Sequence, residues 1–232
     1  MPSLPGSLMI RPKRGVPAKP ERIVAFSDGV FAVAITLLAL DLGRIKAEPS
    51  AGVTIFDSLA RQWPTLLAFA GAFAFIGVAW LNHHRVFTHV EAVSRAVNGA
   101  NLLLLAGVAL IPWATGALAE GLGDPEGDRG TQEIVLYGAV TGIGALTWAL
   151  LYHVLAQDPD LLIDPEHARH FAADRTASSI GITGTIVASA VGYFWSPIAA
   201  TVIFLALPVF YAIGSDGFER TPRQQQPSRE AS

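Results

Sequence analysis

Six long apolar stretches alternate with short polar segments along this chain of 232 residues. A helix needs about 20 consecutive, mostly apolar residues to cross the hydrocarbon core of a bilayer. We therefore predict an all-α integral membrane protein with six transmembrane helices per chain. The predicted spans cover residues 23–42, 64–86, 95–119, 133–155, 176–195 and 197–214.

The segments between the spans predict the orientation of the chain, because Lys and Arg accumulate on the cytoplasmic side of membrane proteins. With the N-terminus inside, only four of the 16 Lys and Arg residues lie on the opposite side: Arg44, Lys46, Arg61 and Arg129. Both termini are therefore predicted to be cytoplasmic. The chain divides into a basic N-terminal segment (1–22), a six-helix transmembrane domain (23–214) and a polar tail (215–232) that is predicted to be disordered.

Composition narrows the classes of function. Hydrophobic residues make up 51% of the chain and charged residues only 15%, against about 25% charged in soluble domains. The net charge of −3 favours no nucleic-acid partner, and the absence of cysteine excludes disulfides and thiolate metal sites. The sequence contains no HExxH, no GxSxG and no phosphate-binding loop, so we expect neither an enzyme nor a cofactor.

Polar residues from three spans are predicted to meet near the cytoplasmic end of the bundle. An ionisable group inside a membrane span marks a functional site by default, and buried polar groups there need hydrogen-bond partners. We predict a network that locks span 1 against spans 2 and 3, with Asp28 accepting from Arg22, Asn82, His83 and His84. The full set is Arg22, Phe26, Ser27 and Asp28 in span 1, Asn82, His83 and His84 in span 2, and Asn98 and Asn101 in span 3.

His83 and His84 allow two other interpretations. They can be interfacial histidines near the lipid headgroups, or metal ligands. A metal site is disfavoured because adjacent residues point about 100° apart on a helix and rarely chelate one ion together. No metal site is therefore predicted.

An apolar stripe runs along a different face of span 1. Val33, Leu37 and Leu40 recur at helical spacing, with Thr36 beside them, and lie about 120–140° from Ser27 and Asp28. Spacing alone leaves three environments open for this stripe: lipid, the subunit's own bundle, or an axis shared between copies of the chain.

The amino-acid sequence of these segments resembles that of the TMEM175 family of potassium channels, in its prokaryotic form with six spans. The resemblance rests on Arg22-x-x-x-Phe26-Ser27-Asp28, on Trp80-x-Asn82-His83-His84-Arg85, and on Asn101 with Pro112 and Thr115. It implies a homotetramer in the bilayer, with span 1 of each chain lining a central pore. It also implies a constriction of apolar rings at Val33, Leu37 and Leu40, with Thr36 as a polar ring. Where the family often has Ile or Leu at the first ring, this chain has the smaller Val33.

The predicted function is a potassium-permeable cation channel of the cell membrane, through which K⁺ and other monovalent cations flow passively. The alternative is a proton-coupled transporter in which Asp28 and His83 titrate. That alternative needs paired broken helices or two matching halves, and neither is visible in the sequence. Three histidines, His153, His167 and His170, lie in or near the segment between spans 4 and 5. We interpret that segment as a solvated polar loop, with a pH or ion sensor as the alternative.

Overall fold

The computed structural model of the chain describes residues 19–43, 52–123 and 129–215. The part of the chain that it describes is mainly helical, and it includes an isolated β-bridge between Val90 and Leu162 and a 3-10 turn at Pro159–Leu161. The helices are α1 (Glu21–Leu42), α2 (Ile55–Arg61), α3 (Trp63–Thr88), α4 (Arg95–Gly123), α5 (Arg129–Gln157), α6 (His167–Phe194) and α7 (Pro197–Ser215).

Five of these helices, α1 and α3 to α6, are long and apolar enough to cross a membrane, and they coincide with the first five predicted spans. In the fully described part of α7, the apolar stretch Pro197–Pro208 is shorter than a spanning helix. The sixth span therefore stays a prediction. The tight turn predicted at Ser196 and Pro197 is present, because α6 ends at Phe194 and α7 begins at Pro197.

The start of α6 differs from the prediction, which placed the beginning of span 5 at residue 176. The helix begins at His167 and carries a polar first part. Ala168 and Phe171 are buried in that part, and the Phe171 ring stacks on Tyr152 of α5 with 6.1 Å between ring centroids. Packing against α5 therefore extends the helix beyond the apolar stretch.

Helix α2 was not predicted from the sequence. Its first turn is held by a reciprocal capping arrangement, in which the Thr54 hydroxyl accepts from the Asp57 backbone N–H at 3.2 Å. The Asp57 carboxylate accepts from the Thr54 backbone N–H at 2.9 Å. Such a capping box satisfies N–H groups that a helix start leaves unpaired.

The packing order positions the site. Helix α5 lies between α4 and α6, and α1 packs against α3 and α4. Small residues allow the close approaches: a Cβ at Gly138 of α5 would overlap the Ser189 hydroxyl of α6. Because α3 ends where α1 and α4 begin, three helix ends lie side by side at one end of the bundle.

Candidate functional site

A buried chain of hydrogen bonds joins α1, α4 and α3 at this end. Asn101 Nδ2 donates to Ser27 Oγ at 3.0 Å, and Asn101 Oδ1 lies 2.9 Å from His83 Nε2. Ser27 Oγ in turn donates to the backbone carbonyl of Ile23 at 2.8 Å. Ser27 and His83 are 0% exposed and Asn101 is 1% exposed. The three helices are thus linked by polar groups that have no access to water in this chain.

Aromatic contacts hold the His83 ring. Phe31 of α1 contacts it edge-on with 5.5 Å between centroids, and Phe87 stacks on it at 4.5 Å. Among the described residues nothing hydrogen-bonds His83 Nδ1, which is buried. The ring therefore depends on Asn101 for its hydrogen bond to the protein.

A second connection ties α1 to α3 through Asp28. The indole N–H of Trp80 donates to Asp28 Oδ1 at 2.9 Å. Trp80 belongs to the motif noted in the sequence, but it was not predicted to be the donor. The signal was its spacing, since residues 80, 83 and 87 lie three and four apart and share one face of α3.

The remaining predicted members lie outside this hydrogen-bonded chain, which corrects the predicted donor set. Arg22, Phe26, His84 and Asn98 are all exposed. Asn82 is half-buried and accepts from Arg85 at 3.2 Å instead of donating to Asp28. Ser27, His83 and Asn101 instead take buried positions at these helix ends.

The two faces of α1 are sharply different. One face is buried and carries Ser27, Phe31, Ala34 and Leu38, which recur at helical spacing. The other carries the predicted stripe, where Val33 is 57%, Leu37 43% and Leu40 69% exposed. Thr36 is exposed beside them, and its hydroxyl donates to the Val33 carbonyl at 2.8 Å. The stripe therefore does not face the subunit's own bundle, which removes one of the three environments left open by spacing.

No three His, Asp or Glu side chains in the described ranges lie close enough to hold a metal ion. The site is instead structural. Hydrogen bonds and aromatic packing hold one face of α1 against α3 and α4, and the other face of α1 presents an apolar surface.

This arrangement of spanning-length apolar helices around a buried polar connection defines a multi-pass membrane protein. A family model described as "Endosomal/lysosomal potassium channel TMEM175" matches residues 22–112, which include every member of the connection. A potassium channel of Streptomyces collinus is 35% identical over 213 residues, which cover 90% of this chain and 96% of that protein. The chain belongs to the TMEM175 family, which is a family of channels and not of enzymes.

A solved structure and a human relative agree with this assignment. The crystal structure of a lysosomal potassium-selective channel TMEM175 homolog from Chamaesiphon minutus superposes on this chain with a TM-score of 0.70 at 32% identity. The match covers 84% of this chain and 97% of that one. The human endosomal/lysosomal proton channel TMEM175 is 33% identical over 167 residues, covering 67% of this chain but only 33% of the human protein.

Proposed function

We propose that this chain forms a potassium-permeable cation channel of the cell membrane, as a homotetramer with both termini cytoplasmic. Helix α1 of each copy lines the central pore, and rings of Val33, Leu37 and Leu40 form its constriction and gate. The observation that carries the proposal is the exposed apolar stripe on a helix whose opposite face is fixed by hydrogen bonds.

One helix cannot enclose a pore, so several identical chains around a closed symmetry axis are needed. The number four comes from the family resemblance. The match to a potassium-selective structure and the potassium-channel name of the Streptomyces relative support K⁺ as the permeant ion.

The gating mechanism follows from the side chains. A narrow apolar neck expels water and so raises the cost of ion entry, and no charged ring is needed for this. Thr36 uses its proton on the Val33 carbonyl, which leaves its oxygen lone pairs for an ion in the pathway. Flux begins when the neck widens enough to hydrate.

Conductance of alanine variants tests the neck. Val33→Ala and Leu40→Ala should each increase leak current of purified protein in planar bilayers, because a smaller ring hydrates more easily. The matched control is Leu146→Ala on α5, which also truncates an exposed apolar side chain. If both pore variants conduct like the parent, or if the control leaks equally, this assignment of the neck is wrong.

Cross-linking tests the central axis independently of current. Because the chain has no cysteine, Leu40→Cys and Leu146→Cys each introduce a single thiol. Oxidation should join copies through position 40 and not through position 146. Cross-linking at 146 alone, or at neither position, would place the stripe against lipid.

The ion gradient that drives flux distinguishes the potassium-permeable channel from its alternatives. In liposomes, a K⁺ gradient alone should drive current, and the reversal potential under bi-ionic K⁺/Na⁺ conditions should report the permeability ratio. Flux that requires a proton gradient would favour the proton-coupled transporter that uses Asp28 and His83. Current carried by protons alone would instead indicate a proton channel, which is what the human relative is named.

A further inference from the structure

The turn between α3 and α4 is bound to the segment between α5 and α6, at the end of the bundle where α1 begins. The Ile163 backbone N–H donates to the His89 carbonyl at 3.0 Å, and the Glu91 N–H donates to the Leu161 carbonyl at 2.9 Å. Val90 and Leu162 form the isolated bridge, and both side chains are buried. The two segments thus form one contact between the first and second halves of the chain.

Two histidine rings complete this contact. His89, directly after α3, and His167, at the start of α6, stack with 4.2 Å between centroids and 22° between planes. The His170 ring lies near that of His167, with 5.8 Å between the ring centroids. Each ring of the stack belongs to a different half of the chain, so the stack closes only when the two segments are together.

The charged and titratable groups around the stack come from three elements. His89 interacts electrostatically with Arg85 of α3 and with His167 and His170 of α6. In the segment before α6, Asp164 places its carboxylate 4.0 Å and its carbonyl 3.2 Å from His167 Nδ1. Asp174 of α6 faces Arg85 and His170. The surroundings of His89 itself are therefore cationic or cationisable.

We propose that His89 and His167 form a proton-binding site that keeps the two segments together while the pair carries at most one charge, and separates them when both rings are protonated. Two stacked imidazolium rings repel each other at this distance, whereas neutral rings attract. The second proton therefore favours any arrangement in which the rings are apart.

The direction of the pH effect follows from His89. Burial, followed by the nearby His167, His170 and Arg85, lowers the pKa of His89. The closed contact thus binds fewer protons than the open one, so its stability is complete above the ordinary histidine pKa of about 6.5 and falls as the pH drops below it. On the orientation predicted above, the site responds to cytoplasmic acidification, and it acts on α3, the helix that holds α1.

Spin labels test the site without any measurement of current. In the cysteine-free chain, Thr88→Cys and Ile163→Cys place nitroxides on the two segments, at exposed positions next to the stack. Dipolar broadening in the continuous-wave EPR spectrum of the purified full-length protein should be strong at about pH 7.5, above the ordinary histidine pKa, and should weaken as the pH is lowered to about 5.5.

Histidine variants assign the response. His89→Phe keeps a flat ring that stacks but takes no proton, so broadening should persist at both pH values. His167→Phe tests the same point at a partly exposed ring, should His89→Phe fold poorly. The control, His84→Phe, removes an exposed histidine of α3 outside the pair and should keep the parental response. Broadening that does not change with pH in the parent, or that is lost equally in both pair variants, would overturn the proposal.

Discussion

Replacing Asn101 by leucine tests the buried connection most directly, because leucine has a similar shape but makes no hydrogen bond. Asn101 holds two bonds at once, to Ser27 at 3.0 Å and to His83 at 2.9 Å. Hydrogen bonds between membrane helices contribute on average about 0.6 kcal/mol and at most about 1.7 kcal/mol each. We therefore expect Asn101→Leu to lower the free energy of unfolding by about 1 to 3 kcal/mol.

The two partners are not affected equally. Ser27 keeps its bond to the Ile23 carbonyl, whereas His83 loses its Nε2 partner while Phe31 and Phe87 restrict the ring. Ser27→Ala breaks one of the two Asn101 bonds and also removes the local bond to the Ile23 carbonyl, an oxygen that still accepts within the helix. We expect it to cost about 0.6 to 1.7 kcal/mol, mainly from the bond between helices. Asn101→Leu should thus be the more damaging of the two substitutions.

A double-mutant cycle isolates the Ser27–Asn101 bond. Unfolding of the purified protein in mixed micelles, followed by circular dichroism against increasing SDS, gives the free energies of parent, single and double variants. The double variant should cost less than the sum of the singles by about 0.6 to 1.7 kcal/mol, because the same bond is lost in both. A coupling energy near zero, or a cost of Asn101→Leu no larger than that of Ser27→Ala, would refute the reasoning.

Two further predictions concern helix contacts and use the same unfolding assay. Trp80→Phe removes the donor to Asp28 and should cost about 0.6 to 1.7 kcal/mol. Asp28→Asn keeps an acceptor oxygen and should cost less. A larger cost for Asp28→Asn than for Trp80→Phe would contradict the assigned bond. Gly138→Ala should cost about 1 to 3 kcal/mol because the new Cβ overlaps the Ser189 hydroxyl. Gly144→Ala on the same helix meets nothing within 4 Å and should gain up to about 1 kcal/mol of helix propensity, so equal effects at the two glycines would count against the α5–α6 packing.

The depth of the polar residues along the bundle could be predicted from the sequence, whereas their hydrogen-bond partners could not. Apolar runs of spanning length fix how deep a residue lies, so the order of residues alone places Ser27, His83 and Asn101 at one end of the bundle. Which side chain meets which depends on the rotation of each helix about its axis, and a run of apolar residues fixes this only weakly. Trp80 was missed for this reason, although its spacing from His83 carried the signal.

In the polar segment before span 5, the secondary structure itself was predicted wrongly. Hydropathy placed residues 167–175 in a loop because they are charged, yet they form the first part of α6. Helical structure there depends on contacts with α5, such as that of Phe171 with Tyr152, and on the His89–His167 stack. Such contacts join residues far apart in the chain, so no local pattern reveals them.

The separation of the two faces of α1 makes their roles distinguishable. The buried face holds α1 in position through Ser27, and Asp28 beside it adds the bond to Trp80. The exposed face, with Val33 and Leu40, supplies the side chains that would line the proposed pore. A change on the buried face should therefore lower stability and change conductance together, because it moves the whole helix. A change on the exposed face should change conductance while the free energy of unfolding of the subunit stays nearly constant, since Val33 and Leu40 are more than half exposed in the subunit. A Leu40→Ala variant that unfolds as readily as Asn101→Leu would show that the stripe is part of the subunit's own packing and not the lining of a pore.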